Sequence, residues 1–198
     1  MPAISELCAD LAAEQHSLDS VVAGLAPEGW ATPTPAAGWD LGDSISHLCY
    51  FDETAALAID DPAAFEAHKS ALLQALGAGG TTPDVALGRA VTGAALLERW
   101  RASRARFLAV AVAAGASPRP ARVPWYGPPM SVASFVSARI METWAHGADV
   151  RDALGVPLEA TARLRHICHL GVAARAYSFI AHGQTDPGDP VTVEAHSP

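Results

Sequence analysis

Lysine is almost absent from this chain: Lys69 is the single lysine among 198 residues, and acidic residues outnumber basic ones by 21 to 13. No extended Lys/Arg run occurs, which argues against a nucleic-acid partner. Apolar runs never approach the ~20 residues of a transmembrane helix, and the N-terminus lacks a basic stretch followed by an apolar core. We therefore expect neither a membrane partner nor a signal peptide.

Cysteine is also scarce, and nucleotide-binding motifs are missing. Cys8, Cys49 and Cys168 are widely spaced, odd in number and form no CxxC pair, which predicts free thiols and a cytoplasmic protein. The sequence contains neither a GxxxxGK[ST] phosphate loop nor a GxSxG nucleophile elbow. The sequence therefore offers no motif that would indicate nucleotide-dependent chemistry or a serine-hydrolase triad.

Helical periodicity dominates what is present. Half of the residues are apolar, enough for one sizeable core. The spacing of the apolar residues predicts helices over 3–25, 40–59, 62–76, 83–114, 131–154 and 161–181. We predict an all-α fold, an antiparallel four-helix bundle with a short extra helix, over residues 1–185. Residues 186–198 are predicted to form an extended tail that is strand-like at 191–193.

A histidine and a glutamate mark the helix predicted over 131–154. Glu142 and His146 lie one turn apart and about 40° apart around the helix axis, so both project from one stripe. His47 belongs to the helix predicted over 40–59. If these helices pack together, His47, Glu142 and His146 form a His₂Glu set that leaves coordination positions open, as catalytic metal sites do.

The stripe that carries Glu142 and His146 also includes Arg139 and Asp149, on a helix that is otherwise mostly apolar. It either faces water, with internal pairs such as Arg139–Glu142 and His146–Asp149, or lines an internal cleft, where polar groups cost several kcal/mol unless paired or metal-bound. In a cleft, Arg139 is the candidate for holding a substrate carboxylate and Asp149 for orienting His146.

Aromatic residues of the second of two Pro-rich loops, predicted over 117–130, are candidates for the wall of the cleft. Trp125 and Tyr126 lie in that loop, although ordinary packing accounts for them equally well.

A second pair of histidines has the spacing of metal ligands. His166 and His169 lie three residues apart and could chelate an ion, but His166 lies on an apolar stripe, so a core or pocket-lining histidine is the preferred interpretation. The cysteines are not expected to bind the metal. Cys49 lies about 160° around the helix from His47, and Cys8 and Cys168 are predicted to be small core residues.

Two segments carry a family resemblance: Gly38-Trp-Asp-Leu-Gly-Asp-Ser-Ile-Ser-His-Leu48 and Glu142-Thr-Trp-Ala-His-Gly-Ala-Asp-Val150. They resemble the DinB-like superfamily, in particular the actinobacterial "metal-binding protein" members of the mycothiol-dependent maleylpyruvate isomerase N-terminal-domain branch. The segment Arg122-Val-Pro-Trp-Tyr-Gly-Pro-Pro129 is similar to that subgroup as well. The high alanine content fits a high-GC bacterial source.

The resemblance implies a four-helix bundle with a divalent metal near one end, ligated by His47, Glu142 and His146. Zinc is the usual metal, and nickel and iron occur in the superfamily. Mycothiol or another low-molecular-weight thiol is implied as co-substrate for a thiol transferase or isomerase. Longer relatives continue into a small C-terminal domain. Residues 186–198 are either the start of such a domain or the tail of a chain that has lost it.

Three functions stay open at this point. The first is a metal-dependent thiol transferase or isomerase acting on a small molecule. The second is a related bundle that serves secondary metabolism as an isomerase or cyclase without a catalytic metal, which would need a large apolar cavity. The third is a non-catalytic metal-binding protein, for which a homodimer is conceivable.

Overall fold

Capping residues in the sequence mark the ends of the two helices that carry the predicted ligands. The computed structural model describes residues 3–77, 82–117, 122–194 and 196. The Asp40 carboxylate accepts a 2.8 Å hydrogen bond from the Asp43 backbone amide, which caps the helix carrying His47. Ser131 caps the helix carrying Glu142 and His146, and Gly155 ends it with φ +65°. Both helix bounds agree closely with the prediction.

Seven α-helices are described: α1 (Ile4–Val22), α2 (Leu41–Asp60), α3 (Pro62–Gly77), α4 (Pro83–Ala90), α5 (Gly93–Gly115), α6 (Val132–Leu154) and α7 (Leu164–Ala181). A 3₁₀ helix covers Pro27–Ala31, and an antiparallel ribbon pairs β1 (Arg122–Val123) with β2 (Met130–Ser131) in the second Pro-rich loop. Every helix in the described part of the chain is too short or too polar to traverse a lipid bilayer.

Four long helices form an antiparallel bundle, as predicted. α1 and α2 each pack against both α5 and α6, which closes the ring. The shorter α3 and α4 lie against α2, and α7 lies against α6. The ribbon contacts α6 near its first turn. α2 and α6 are neighbours in this ring, so side chains on their facing stripes meet inside the bundle.

Two apolar clusters fill the bundle, one above and one below a polar layer. One cluster includes Leu11, Phe107 and Phe135. The other includes Leu48 and Trp100.

The polar layer between the clusters is built around a carboxylate. Asp52 is fully buried and accepts hydrogen bonds from Arg139 (2.9 Å), Trp100 (3.3 Å) and Gln15 (3.4 Å). These partners come from α6, α5 and α1, so the Asp52 carboxylate joins all four bundle helices at mid-height.

The helix predicted over 83–114 is wrong in one respect, because it is broken into α4 and α5. Val91 has extended backbone angles, and Gly93 has φ +63°, a conformation that favours glycine. The break frees α4 to turn onto α2, where Gly88 sits so close that an added Cβ would lie 2.7 Å from Ser46 Cβ. Packing between helices, rather than local propensity, sets this boundary.

Two smaller expectations also fail. Residues 191–193 form no strand in the described part of the tail. Cys168 is exposed rather than in the core, because α7 packs mainly against α6 and leaves most of its surface open to solvent. Cys8 is buried, as predicted.

Candidate metal centre

His47, Glu142 and His146 meet at the interface between α2 and α6. His47 Nε2 and His146 Nε2 each lie 3.5 Å from Glu142 Oε2, and one ligand atom from each residue lies within 4.8 Å of the other two. Ligands held tetrahedrally about 2.1 Å from a zinc ion are themselves about 3.4 Å apart. Two of the three separations therefore suit a metal, and in the described ranges this is the one set of three such side chains.

The carboxylate of Glu142 is strongly favoured in its charged form. Burial opposes ionisation, but the contacts from His146 and His47 and the nearby Arg139 charge outweigh it, so the pKa of Glu142 lies well below its usual range. An ionised, partly exposed carboxylate between two imidazoles is a donor set that suits a divalent cation.

An aspartate that was not predicted as a site residue lies behind His47. His47 Nδ1 is 2.8 Å from Asp84 Oδ2, in the first turn of α4. Burial alone would lower the pKa of His47, but its hydrogen bonds to Asp84 and Glu142 outweigh burial and raise that pKa. His47 in turn holds the pKa of Asp84 near 2. Because acidic residues are common in first helical turns, nothing in the sequence singled out Asp84.

Trp39 covers the other histidine. Its ring stacks on His146 with centroids 5.5 Å apart and planes 8° apart, and it also contacts His47 at 5.3 Å. His146 Nδ1 is buried and has no hydrogen-bond partner among the described residues. Asp149, which was predicted to orient His146, is half-buried and forms no hydrogen bond with the buried His146 Nδ1. Its orienting role stays a prediction that the observed geometry does not favour.

Arg139 lies next to the cluster but is paired in the core. Its Nε donates to Asp52 and its Nη2 donates to the carbonyl of Leu48 at 3.4 Å. The internal pair with Glu142 that the sequence allowed is replaced by this pair with Asp52. Arg139 nonetheless borders the same cavity as His47 and Glu142.

A small cavity is bordered by two members of the cluster, His47 and Glu142. Its volume is about 100 Å³, and its lining comprises His47, Phe51, Trp125, Met130, Phe135, Ala138, Arg139 and Glu142. Trp125 thus lines the cavity as expected and stacks on Phe65 with planes 9° apart. Tyr126 is not in the lining; it packs behind it, edge-on to Phe51 at 5.8 Å.

The second histidine pair, on α7, belongs to no group of three potential metal ligands among the described residues. His166 is buried and its Nε2 lies 2.7 Å from Asp10 Oδ2, which Arg165 also contacts. His169 is exposed. His166 and His169 border a separate cavity of about 440 Å³ between α6 and α7. The structure therefore agrees with a pocket-lining histidine at position 166.

Sequence comparison identifies the family of the chain. Residues 11–151 match the family described as the mycothiol maleylpyruvate isomerase N-terminal domain. The chain belongs to this family. An uncharacterised protein of Mycobacterium tuberculosis, matched in two strains, is 46% identical over 191 residues, which cover 96% of this chain and 72% of that relative. The family predicted from the two histidine-bearing segments is thus confirmed.

Solved structures show the same fold. The crystal structure of the mycothiol-dependent maleylpyruvate isomerase, and that of a mutant in which one histidine is replaced by alanine, each match with a TM-score of 0.67. Each match covers 94% of this chain and 74% of the solved chain at 14% identity. At this identity the likeness establishes the helical fold, while the chemistry has to come from this chain's own residues.

Proposed function

We propose that this member of the mycothiol maleylpyruvate isomerase N-terminal domain family is a metal-dependent, thiol-using isomerase or transferase of a small molecule. The main observation behind it is that His47, Glu142 and His146 come together from two helices and that two of them, His47 and Glu142, border a cavity. Family membership supports a thiol-related reaction. The proposal assumes a reducing cytoplasm, in which a thiol such as mycothiol stays available.

The donor set fits a divalent ion. Two imidazole nitrogens and one ionised carboxylate oxygen lie at mutual distances close to those of zinc ligands, and zinc, nickel or iron would suit such ligands. A bound ion would act as a Lewis acid that favours the thiolate form of a thiol or polarises a carbonyl oxygen. His47 and Glu142 border the cavity, which supports an accessible coordination position rather than a closed structural site.

The remaining residues of the cavity orient the reactants and limit water. A volume of about 100 Å³ is small compared with the hundreds of Å³ typical of ligand pockets, so we expect only the reactive end of a thiol or substrate to enter. Phe51 and Trp125 supply apolar walls. Arg139 also borders the cavity, and we assign its guanidinium the substrate's carboxylate.

The cavity size also bears on the metal-free alternative. An isomerase or cyclase that relies on shape alone needs a large apolar cavity near its reacting groups. The cavity at the cluster is small and bordered by charged side chains. This observation favours the metal-dependent function.

The test is a thiol-dependent reaction that requires the ligands. The metal-supplemented protein is mixed with mycothiol and a cis-alkene carbonyl acid, with maleylpyruvate tried first because the structural neighbour is named for it. We expect turnover that needs both thiol and metal and is lost in His146→Ala, whereas His68→Ala, which alters a histidine bonded to Tyr50, retains it. Turnover that survives in His146→Ala, or after chelation, would contradict the proposal.

A further inference from the structure

We infer that α4 is a clamp for His47, in which Asp84 is a positioning residue that presents Nε2 of His47 to the metal. This inference rests on the metal site proposed above and adds a residue and a helix to it. Neither was visible in the sequence, because the prediction merged α4 into one long helix.

The hydrogen bond from His47 to Asp84 selects which ring nitrogen is bare. Nδ1 lies 2.8 Å from the Asp84 carboxylate, whereas Nε2 lies 3.5 Å from Glu142. A carboxylate accepts but cannot donate, so the shorter contact places the proton on Nδ1. The neutral ring then offers its Nε2 lone pair to a cation. Partners of this kind fix the ring orientation and raise the basicity of metal-ligating histidines.

The backbone of α4 is held tightly at Asp84. Ser46, next to His47 in the chain, donates its hydroxyl to the carbonyl oxygen of Asp84. One turn further on, Gly88 rests on Ser46 and on the Gly42 carbonyl, where an added Cβ would lie 2.7 Å and 3.1 Å away, respectively. The close approach at Gly88 and the Ser46 hydrogen bond together fix Asp84 relative to His47.

The two histidines of the cluster are held in place by different contacts. His146 Nδ1 has no partner in the described ranges, and its ring is held by stacking on Trp39. His47 is held by a hydrogen bond that it donates to a carboxylate on a separate helix. Loss of the Asp84 contact should therefore release His47 alone, which gives the inference a specific signature.

The first test reads the His47 tautomer without any metal. Nitrogen NMR of labelled, metal-free protein is recorded at a pH above the His47 pKa, where the ring is neutral. We expect the proton on Nδ1 in the wild type and a shift toward Nε2–H in Asp84→Leu, which removes the acceptor. A merely structural contact would not move this signal. A wild-type His47 that carries its proton on Nε2 would overturn the inference.

The second test measures Zn²⁺ affinity by competition with a chelating dye. Asp84→Asn should weaken binding by about 10–100-fold, the usual effect of losing such a partner. Gly88→Ala should also weaken it, because the added methyl group must displace α4 from α2 without altering any charge. The matched controls are Asp61→Asn, which alters a carboxylate at the start of α3, and Gly171→Ala, whose Cβ would meet no atom within 4 Å.

The outcomes separate this inference from the proposed function. A wild type that binds no ion contradicts the proposed function and the inference with it. Wild-type binding that Asp84→Asn and Gly88→Ala leave within about twofold overturns the inference alone. Weakened binding in both variants, with both controls unchanged, supports it.

Discussion

Replacing Asp52 with leucine should be one of the most destabilising single changes in this protein. Asp52 is 0% exposed, and its main partner Arg139 is 3% exposed. Leucine has the same side-chain branching as aspartate, with methyl groups in place of the two oxygens, so the substitution leaves no cavity and chiefly removes the charge. Arg139 would then be buried without its carboxylate, and Trp100 and Gln15 would lose an acceptor.

The magnitude follows from the burial of the pair. Breaking one side of a buried ion pair costs about 3–5 kcal/mol, whereas an exposed pair is worth about 0.2–1 kcal/mol. With a urea m-value of about 2 kcal/mol/M, the unfolding midpoint of Asp52→Leu should fall by about 1.5–2.5 M. The assay is urea unfolding of the metal-free protein, followed by circular dichroism.

Two further variants make the result specific. Glu53→Gln, which breaks the exposed pair with Arg99, should cost no more than about 1 kcal/mol. Adding Arg139→Met to Asp52→Leu should recover most of the lost stability, because an apolar pair can replace a buried ion pair. A loss below about 1 kcal/mol for Asp52→Leu would refute the idea that the polar layer depends on this carboxylate.

Three other predictions concern the rest of the molecule. The hydrogen bond from Arg101 is the main cause that lowers the pKa of Asp19 from 3.8. The ionised Asp19 carboxylate therefore stabilises the folded protein above about pH 4, and this stabilisation is lost as the pH falls through the folded-state pKa. Acid titration of Asp19→Asn by circular dichroism should therefore show a shallower loss of stability than wild type. Burial raises the pKa of Cys49 to about 12, so iodoacetamide and mass spectrometry should find exposed Cys168 modified long before Cys49. Gly155→Ala should cost about 1–2 kcal/mol in urea unfolding, because φ is +65° there.

The sequence predicted the helices of the bundle and the shared stripe of Glu142 and His146 because both depend on local periodicity. The i, i+4 spacing of Glu142 and His146 puts them on one stripe whatever the helix packs against. His47 needed the packing of α2 against α6, and the family resemblance supplied it. That the triad binds a metal stays a prediction.

The sequence could not predict the partners behind the triad. Asp84 reaches His47 only because the helix is interrupted near Gly93 and α4 turns back onto α2. This turn depends on contacts between residues that are distant in sequence. The pairing of Arg139 with Asp52 likewise joins two helices. Cys168 was misplaced for the same kind of reason, since periodicity shows that a helix has an apolar side but not whether anything covers it.

The metal content of untagged protein purified without chelator is the most direct test of the proposed metal centre. Elemental analysis should find one divalent ion per wild-type chain, its loss in His47→Ala and in His146→Ala, and its retention in His68→Ala. A wild type that holds no ion and takes up none from added Zn²⁺, Ni²⁺ or Fe²⁺ would contradict the metal centre and the function proposed on it.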